Sequence, residues 1–387
     1  MGNRPDTPRF IYYLSQVFNP VDKHAPLWDA SLPMHRKPEN TASQAITYKD
    51  YFFAVRSFME NTGVDLIEHF LSQEKTQSVK ISEISIFLEK HGEFYHPARI
   101  EAKTPDSTVS FVLNVAVSND GKKCMEHEIE LLRRLHRKHG NAHIPKIYGH
   151  GEAITAEGCK LNMFLGEWFD GFHEFHLSLH PGGKKRRIRV WTPENENVWL
   201  TKFQTRALYR QIALILTHYY DVETYEQILS WHHAAGDFII SLQNNTVNVK
   251  LITVRRYAAM VDDSDRDIKS MFEALLVFFL NLSIRIRLDR VDGVGEIVWA
   301  GDIALYGMFE GFFDALFEKP SFLFLPAPLK DCFRDYLLSR EASELFEYGT
   351  AVVEAYGLTS PETGVMQKHL TEHIRMLHRI IQKEPKI

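Results

Sequence analysis

Residues 231–257 read WHHAAGDFIISLQNNTVNVKLITVRRY. Two runs within them, FIISL at 238–242 and VNVKLI at 247–252, are rich in β-branched and large apolar residues and read as a strand pair. Asn244 and Asn245 carry oxygens that suit a metal, but LQNNTVN reads more simply as the tight turn between the strands. An acid, Asp237, stands at the foot of the first strand. The second strand runs out into Thr253, Val254, Arg255 and Arg256, two fixed cations with no carboxylate among them.

The whole chain bounds what this stretch can belong to. It has 387 residues, 44% hydrophobic and 25% charged, enough to bury large cores in one two-lobed unit or in two domains with an extension. A net charge of −5 gives no electrostatic reason to expect nucleic acid or an anionic membrane surface as partner. Cys124, Cys159 and Cys332 are too scattered for a disulfide framework or a thiolate metal site, which fits a reducing compartment. The N-terminus, MGNRPDTPRFIYYL, lacks the apolar core of a signal peptide, and Asp6 stands where myristoylation wants Ser or Thr, so a cytoplasmic location is expected. ALLVFFLNLSI at 274–284 is shorter than the ~20 residues a bilayer needs and predicts a buried helix.

Outward from the opening stretch, residues 10–17 and 48–72 predict helices, the second broken at Gly63, within an N-terminal helical extension over 1–78. Strand patterns follow in VKISEISIFLEK, YHPARIEAK and TVSFVLNVAVS, then a helix over 122–139 ending at Gly140, then two more strands. These make a sheet-rich lobe over 79–170. The remainder, 171–387, is mainly helical, with an inserted hairpin near 173–192 that turns at PGG and helices at 201–220, 267–289, 302–318 and along 328–383.

GDFIISL followed by VKLITV has the cadence of a kinase catalytic loop running into its metal-binding strand. With the element order, roughly residues 79–340 resemble the protein-kinase-like fold, in particular its aminoglycoside and choline phosphotransferase branch. The resemblance implies an α+β, two-lobed architecture with a small antiparallel-sheet N-lobe and a larger helical C-lobe. It places Glu128, in EHEIELLRRL, as the partner of a cation, Glu167, in FLGEWFDGF, at the hinge that meets an adenine, and Asp237, in HHAAGDF, as the catalytic base. ATP and Mg²⁺ are the cofactors it implies.

Departures from the pattern each remove a charge. Asn114, in FVLNVAV, stands where a Lys should hold the phosphates. Leu242 stands where an Asn should bind the second metal, and Thr253 where an Asp should hold the first. Ala235 also stands where the phosphotransferase relatives have His. Arg99 and Lys103 on a neighbouring strand are candidates to replace the missing cation, against the plainer reading of solvated charges. KHGEFYHPAR, with one glycine, is too poor in glycine for a phosphate-cradling loop.

Three further constellations have two readings each. Glu174 and His176 share a strand face and with His233 or Asp237 would make a two-His, one-carboxylate metal site; alternatively the histidines are hydrogen-bonded and partly buried. Arg255 and Arg256 either bind an anion without a metal or pair with Asp262, Asp263 or Asp265 just downstream. KKRRIR at 184–189 is either a solvated edge or a site for an acidic or phosphorylated partner. The sequence therefore predicts a kinase-like protein that kept the shape and lost the standard metal chemistry, binding a small-molecule ligand or a protein partner in a regulatory role. The alternatives are an atypical phosphotransferase, in which Arg99 or Lys103 supplies the cation and Arg255 steadies phosphate, and a metal enzyme built on the histidines.

Overall fold

The computed structural model describes residues 7–14, 20–22, 24–33, 45–140, 143–182, 185–192, 197–229, 231, 234–261, 267–357 and 360–383. The chain divides into two compact units, Met1–Asn141 with Pro145–Asp170, and Ala142–Ile144 with Gly171–Ile387.

The first unit contains β1 (Arg9–Leu14), α1 (Tyr48–Phe58), α2 (Val64–Lys75), β2 (Glu83–Leu88), β3 (Ala98–Lys103), β4 (Thr108–Ala116), α3 (Asn119–His139), β5 (Ile147–Ile154) and β6 (Lys160–Glu167). Its six strands form one sheet in the order β1-β2-β3-β4-β6-β5. All neighbours are antiparallel except β1, which runs parallel to β2 with Arg9 opposite Glu83 and Leu14 opposite Leu88. Alternation sorts the strand residues: Ile84, Ile86, Ile100, Leu113 and Met163 are buried with Phe52, Val55, Phe58 and Ile67 of α1 and α2. On the other face Phe164 packs with Met125 and Ile129 of α3 and with Tyr95. The N-terminal cap of α3 is the Ser118 hydroxyl, which accepts from the Gly121 amide at 3.0 Å.

The N-terminal segment departs from expectation. Residues 10–14, predicted helical, are strand, because RFIYYL offers aromatic side chains that pair across β2: Tyr13 stacks on Phe87 at 4.4 Å, and Tyr12 is buried against Trp28 and Phe52. Residues 15–17 lie outside the described residues. Gly63 does not break the helix either. It closes a π-helical turn, Met59–Gly63, through which α1 continues into α2. The segment expected as a helical extension thus supplies an edge strand and covering helices to the sheet unit.

The second unit opens with the three-stranded sheet β7 (Phe175–Leu179), β8 (Arg186–Trp191) and β9 (Asn197–Trp199). There follow α4 (Lys202–His218), β10 (Glu226–Leu229), the single turn α5 (Ala234–Asp237), β11 (Phe238–Gln243), β12 (Thr246–Leu251), β13 (Arg256–Ala259), α6 (Ile268–Arg285), β14 (Leu288–Arg290) and β15 (Ile297–Trp299). The chain ends in α7 (Ile303–Phe317), α8 (Leu329–Leu338), α9 (Ala342–Glu354) and α10 (Pro361–Lys383). The run expected as a buried helix lies in α6, where Phe278 and Phe279 meet Phe312 of α7 and Phe279 also meets Phe333 of α8. Arg206 pairs with Glu310 and Arg210 with Asp314, each pair 104 residues apart, so α4 and α7 run parallel. Gly311 lets them touch, since a Cβ there would strike the carbonyl oxygen of Arg210. Among the described residues no helix is long and apolar enough to cross a membrane.

Candidate functional site

In the second unit the strand pair of the opening stretch forms as expected. β11 and β12 pair from Phe238 opposite Leu251 to Gln243 opposite Thr246, and Asn244 and Asn245 turn between them at φ of 50° and 66°. Asparagine tolerates that left-handed backbone, so the turn reading holds for both residues. The pairing carries on past the strands: the Ile252 amide donates to the Asp237 carbonyl at 2.9 Å. Three residues further on, Arg255 therefore lies beside the Asp237 side chain.

Arg255 Nη1 donates to Asp237 Oδ1 at 2.8 Å. The carboxylate side chain is 3% exposed and the guanidinium side chain 25%. This is a charge-assisted bond to a buried acid. Thr253, in the position of the metal-holding Asp, is partly buried, and Leu242 faces Val247 across the hairpin. The acids expected to pair with Arg255 and Arg256, at 262, 263 and 265, lie outside the described residues. Arg256 is exposed at the start of β13.

In the first unit Glu128 is buried in α3 and accepts a hydrogen bond from the Tyr95 hydroxyl at 2.8 Å. Burial raises the pKa of that hydroxyl, and the negative charge of Glu128 raises it further, so Tyr95 remains a donor. Tyr95 belongs to the connection between β2 and β3, the segment KHGEFYHPAR that the sequence had only excluded as a phosphate cradle. This connection is folded and tied down. Gly92 N donates to Tyr95 O, His96 N to Val115 O, and the Tyr51 hydroxyl to His96 O at 2.7 Å. His91 and His96 meet through their Nδ1 atoms at 2.9 Å. At the start of α3, Gly121 has no side chain because the carbonyl of Phe94 lies where a Cβ would be.

The expectation that Glu128 orients Arg99 or Lys103 is corrected. Arg99 donates through Nε to Glu89 at 2.8 Å and through Nη1 to Glu101, and its guanidinium lies over the Phe87 ring at 4.1 Å. The acids beside it on β3 and just beyond β2 are nearer claims on its charge than α3. Lys103 is exposed at the end of β3. Asn114 lies on the α3 face of the sheet, opposite Phe164. Glu167, at the end of β6, exchanges bonds with Lys146: its amide donates to Lys146 O at 2.9 Å, and its carboxylate accepts from Lys146 N at 3.2 Å.

Only part of the metal reading of the histidines falls on described residues. His176 is buried with its Nδ1 3.2 Å from Asp289 Oδ1, and Asp289 accepts from the amides of Leu177 at 2.6 Å and Arg290 at 2.7 Å. A carboxylate on β14 thus takes the place beside His176 that Glu174 was expected to share. Glu174 receives the Trp191 amide on its own carbonyl, and His233 lies outside the described residues. Among the described residues no group of three His, Cys, Asp or Glu is placed to hold a metal ion.

The chain has a sheet unit with its helix between the fourth and fifth strands, followed by a helical unit whose hairpin begins at a buried Asp. This mixed α+β element order resembles that of the protein-kinase-like fold. No protein-family model matches the chain, and no curated protein matches its sequence. Among solved structures, WaaP in complex with acyl carrier protein is similar at 13% identity and a TM-score of 0.30, over 70% of this chain and 88% of that one. An apo pseudokinase is similar at 12% identity and a TM-score of 0.29, over 73% and 88%. A protein described as a fructosamine-3-kinase, from Haemophilus somnus 129PT, is similar at 12% and 0.28, over 80% and 96%. Likenesses of this strength carry nothing about the site, whose chemistry rests on its own residues.

Proposed function

We propose that this kinase-like chain is catalytically degenerate and works by binding a ligand or a protein partner in a regulatory role. The observation that carries the reading is the Arg255–Asp237 pair. A general base must be available to the proton it removes, and a carboxylate 3% exposed with a guanidinium 2.8 Å away is already engaged. The same cation occupies the neighbourhood where Mg²⁺ would need carboxylates, and Thr253 and Leu242 offer none. In the sheet unit, Tyr95 donates to Glu128, Arg99 is held by Glu89 and Glu101, and the connection that covers phosphates in kinases is pinned to α1 and α3.

The test is phosphoryl transfer from labelled ATP, with Mg²⁺ or Mn²⁺, beside a melting-temperature series with the same nucleotides. The expected result is no transfer and no metal-dependent stabilisation by nucleotide. Thr253→Asp should add only weak Mg²⁺ affinity, because Leu242 still withholds the second ligand. Transfer by the native chain that disappears in Asp237→Ala would overturn the reading.

A further inference from the structure

The basic run at 184–189 leads into β8, and the β7-β8-β9 sheet sorts its arginines by face. Arg189 stands opposite His176 on β7 and opposite Trp199 on β9, and Arg187 stands opposite Ser178. Residues opposed on antiparallel strands point to the same side, so these five share one face. Phe175, Leu177, Ile188 and Val190 take the other, which is buried and apolar.

Among the described residues, two polar atoms on the mixed face have no partner. The Ser178 hydroxyl is buried without a hydrogen bond, although the residue is only 2% exposed, and the Nε of Arg189 is buried without one as well. Among the described residues Arg189 forms no ion pair, whereas Arg186 pairs with Glu296 at 2.5 Å and Arg187 donates through one Nη to the Leu200 carbonyl at 2.9 Å. Asp289, against His176, already accepts from that ring and from two amides. A buried donor left without an acceptor costs more than a formed bond contributes, and here a cationic donor and a hydroxyl are diagonal neighbours. A multi-oxygen anion held by both would satisfy both. Aromatic surface adjoins: the Trp199 ring meets His180 at 4.9 Å, and Trp191, 41% exposed, meets His176 at 5.4 Å.

We propose that this face binds a small aromatic phosphate monoester. Arg189 and Arg187 take phosphate oxygens, the Ser178 hydroxyl donates to a third, and the ester's ring packs on the exposed tryptophan surface. Two guanidiniums and a hydroxyl match a dianion with three terminal oxygens better than a single carboxylate. The inference concerns a different part of the second unit from the Asp237 hairpin and stands whether or not the chain transfers phosphoryl groups.

The test is calorimetric titration of the full chain with inorganic phosphate and with phenyl phosphate, at fixed ionic strength in a chloride background and without nucleotide or Mg²⁺. Both should bind saturably, with phenyl phosphate the tighter. Arg189→Gln should weaken binding by about 10- to 100-fold, the worth of a hydrogen bond to a charged group. Ser178→Ala, which keeps every charge and nearly the same volume, should weaken it about 3- to 10-fold, and it decides the matter if the arginine variant folds poorly. Failure of both probes to saturate, which leaves water as the occupant, or binding unchanged in both variants would overturn the proposal.

Discussion

Replacing Arg255 by Met isolates the bond on which the functional reading depends. Methionine keeps much of the aliphatic stem and removes the guanidinium, leaving the Asp237 carboxylate 3% exposed without its 2.8 Å donor. Breaking a fully buried ion pair costs about 3–5 kcal/mol, and losing one hydrogen bond to a charged group about 1.5–3 kcal/mol. The arginine side is 25% exposed, so water screens the pair and partly replaces the donor, which places the loss at roughly 2–3 kcal/mol. That is about a 30- to 150-fold change in the folded-to-unfolded ratio. Asp237→Asn keeps an acceptor oxygen and the shape while removing the charge, so the double variant should lose at least ~1 kcal/mol less than the sum of the single losses. Urea unfolding supplies the four free energies. Hydrogen exchange at the Ile252 amide, which donates to the Asp237 carbonyl, reports whether the hairpin foot loosens. A loss below ~0.5 kcal/mol for Arg255→Met, with additive variants, would show that the pair is incidental and would remove the ground of the functional reading.

Two further outcomes follow from buried groups. Tyr95→Phe removes one donor to Glu128, which is 1% exposed, and should cost about 1–3 kcal/mol while speeding amide exchange across 89–97; unchanged exchange there would mean that the connection is held without Tyr95. His143 has its pKa lowered to about 4 by burial, then by His218 and Lys250. The unfolded chain takes up that proton near pH 6.5 and the folded chain only near 4, so the contribution is complete above pH 6.5 and is lost as pH falls from there toward 4. His143→Gln should flatten the decline of unfolding free energy across that interval, and an unaltered slope would contradict the assignment.

The sheet and the hairpin were legible because their signals are local. Alternation marks β2 to β4, a helical stripe ending at Gly140 marks α3, and the paired asparagines mark the turn after β11. β1 was misread because a short aromatic run such as FIYYL suits a buried helix or a strand equally until its partner, about seventy residues away, is known. The partner of Arg255 was sought downstream among acids of the same loop. The signal that finds it lies in the hairpin itself: with Phe238 opposite Leu251, residue 237 faces 252, and position 255 comes within a side chain's reach. Tyr95 and Glu128 are 33 residues apart on a loop and a helix, and Asp289 is 113 residues from His176; neither pairing leaves a trace in spacing.

The parallel edge strand bears on the order in which the sheet unit assembles. β2, β3 and β4 close by short connections, but Arg9 meets Glu83 only after a loop of 83 − 9 = 74 residues is closed, an entropic charge of about 4 kcal/mol on the logarithmic loop estimate. Hairpins form in microseconds, whereas a pairing this remote must wait for the rest of the unit to hold its ends near each other. β1 is therefore the latecomer that seals a finished sheet. Until it docks, the backbone donors and acceptors of Glu83–Leu88 stand open along one side, and a chain begun at residue 79 would keep them open to its own neighbours.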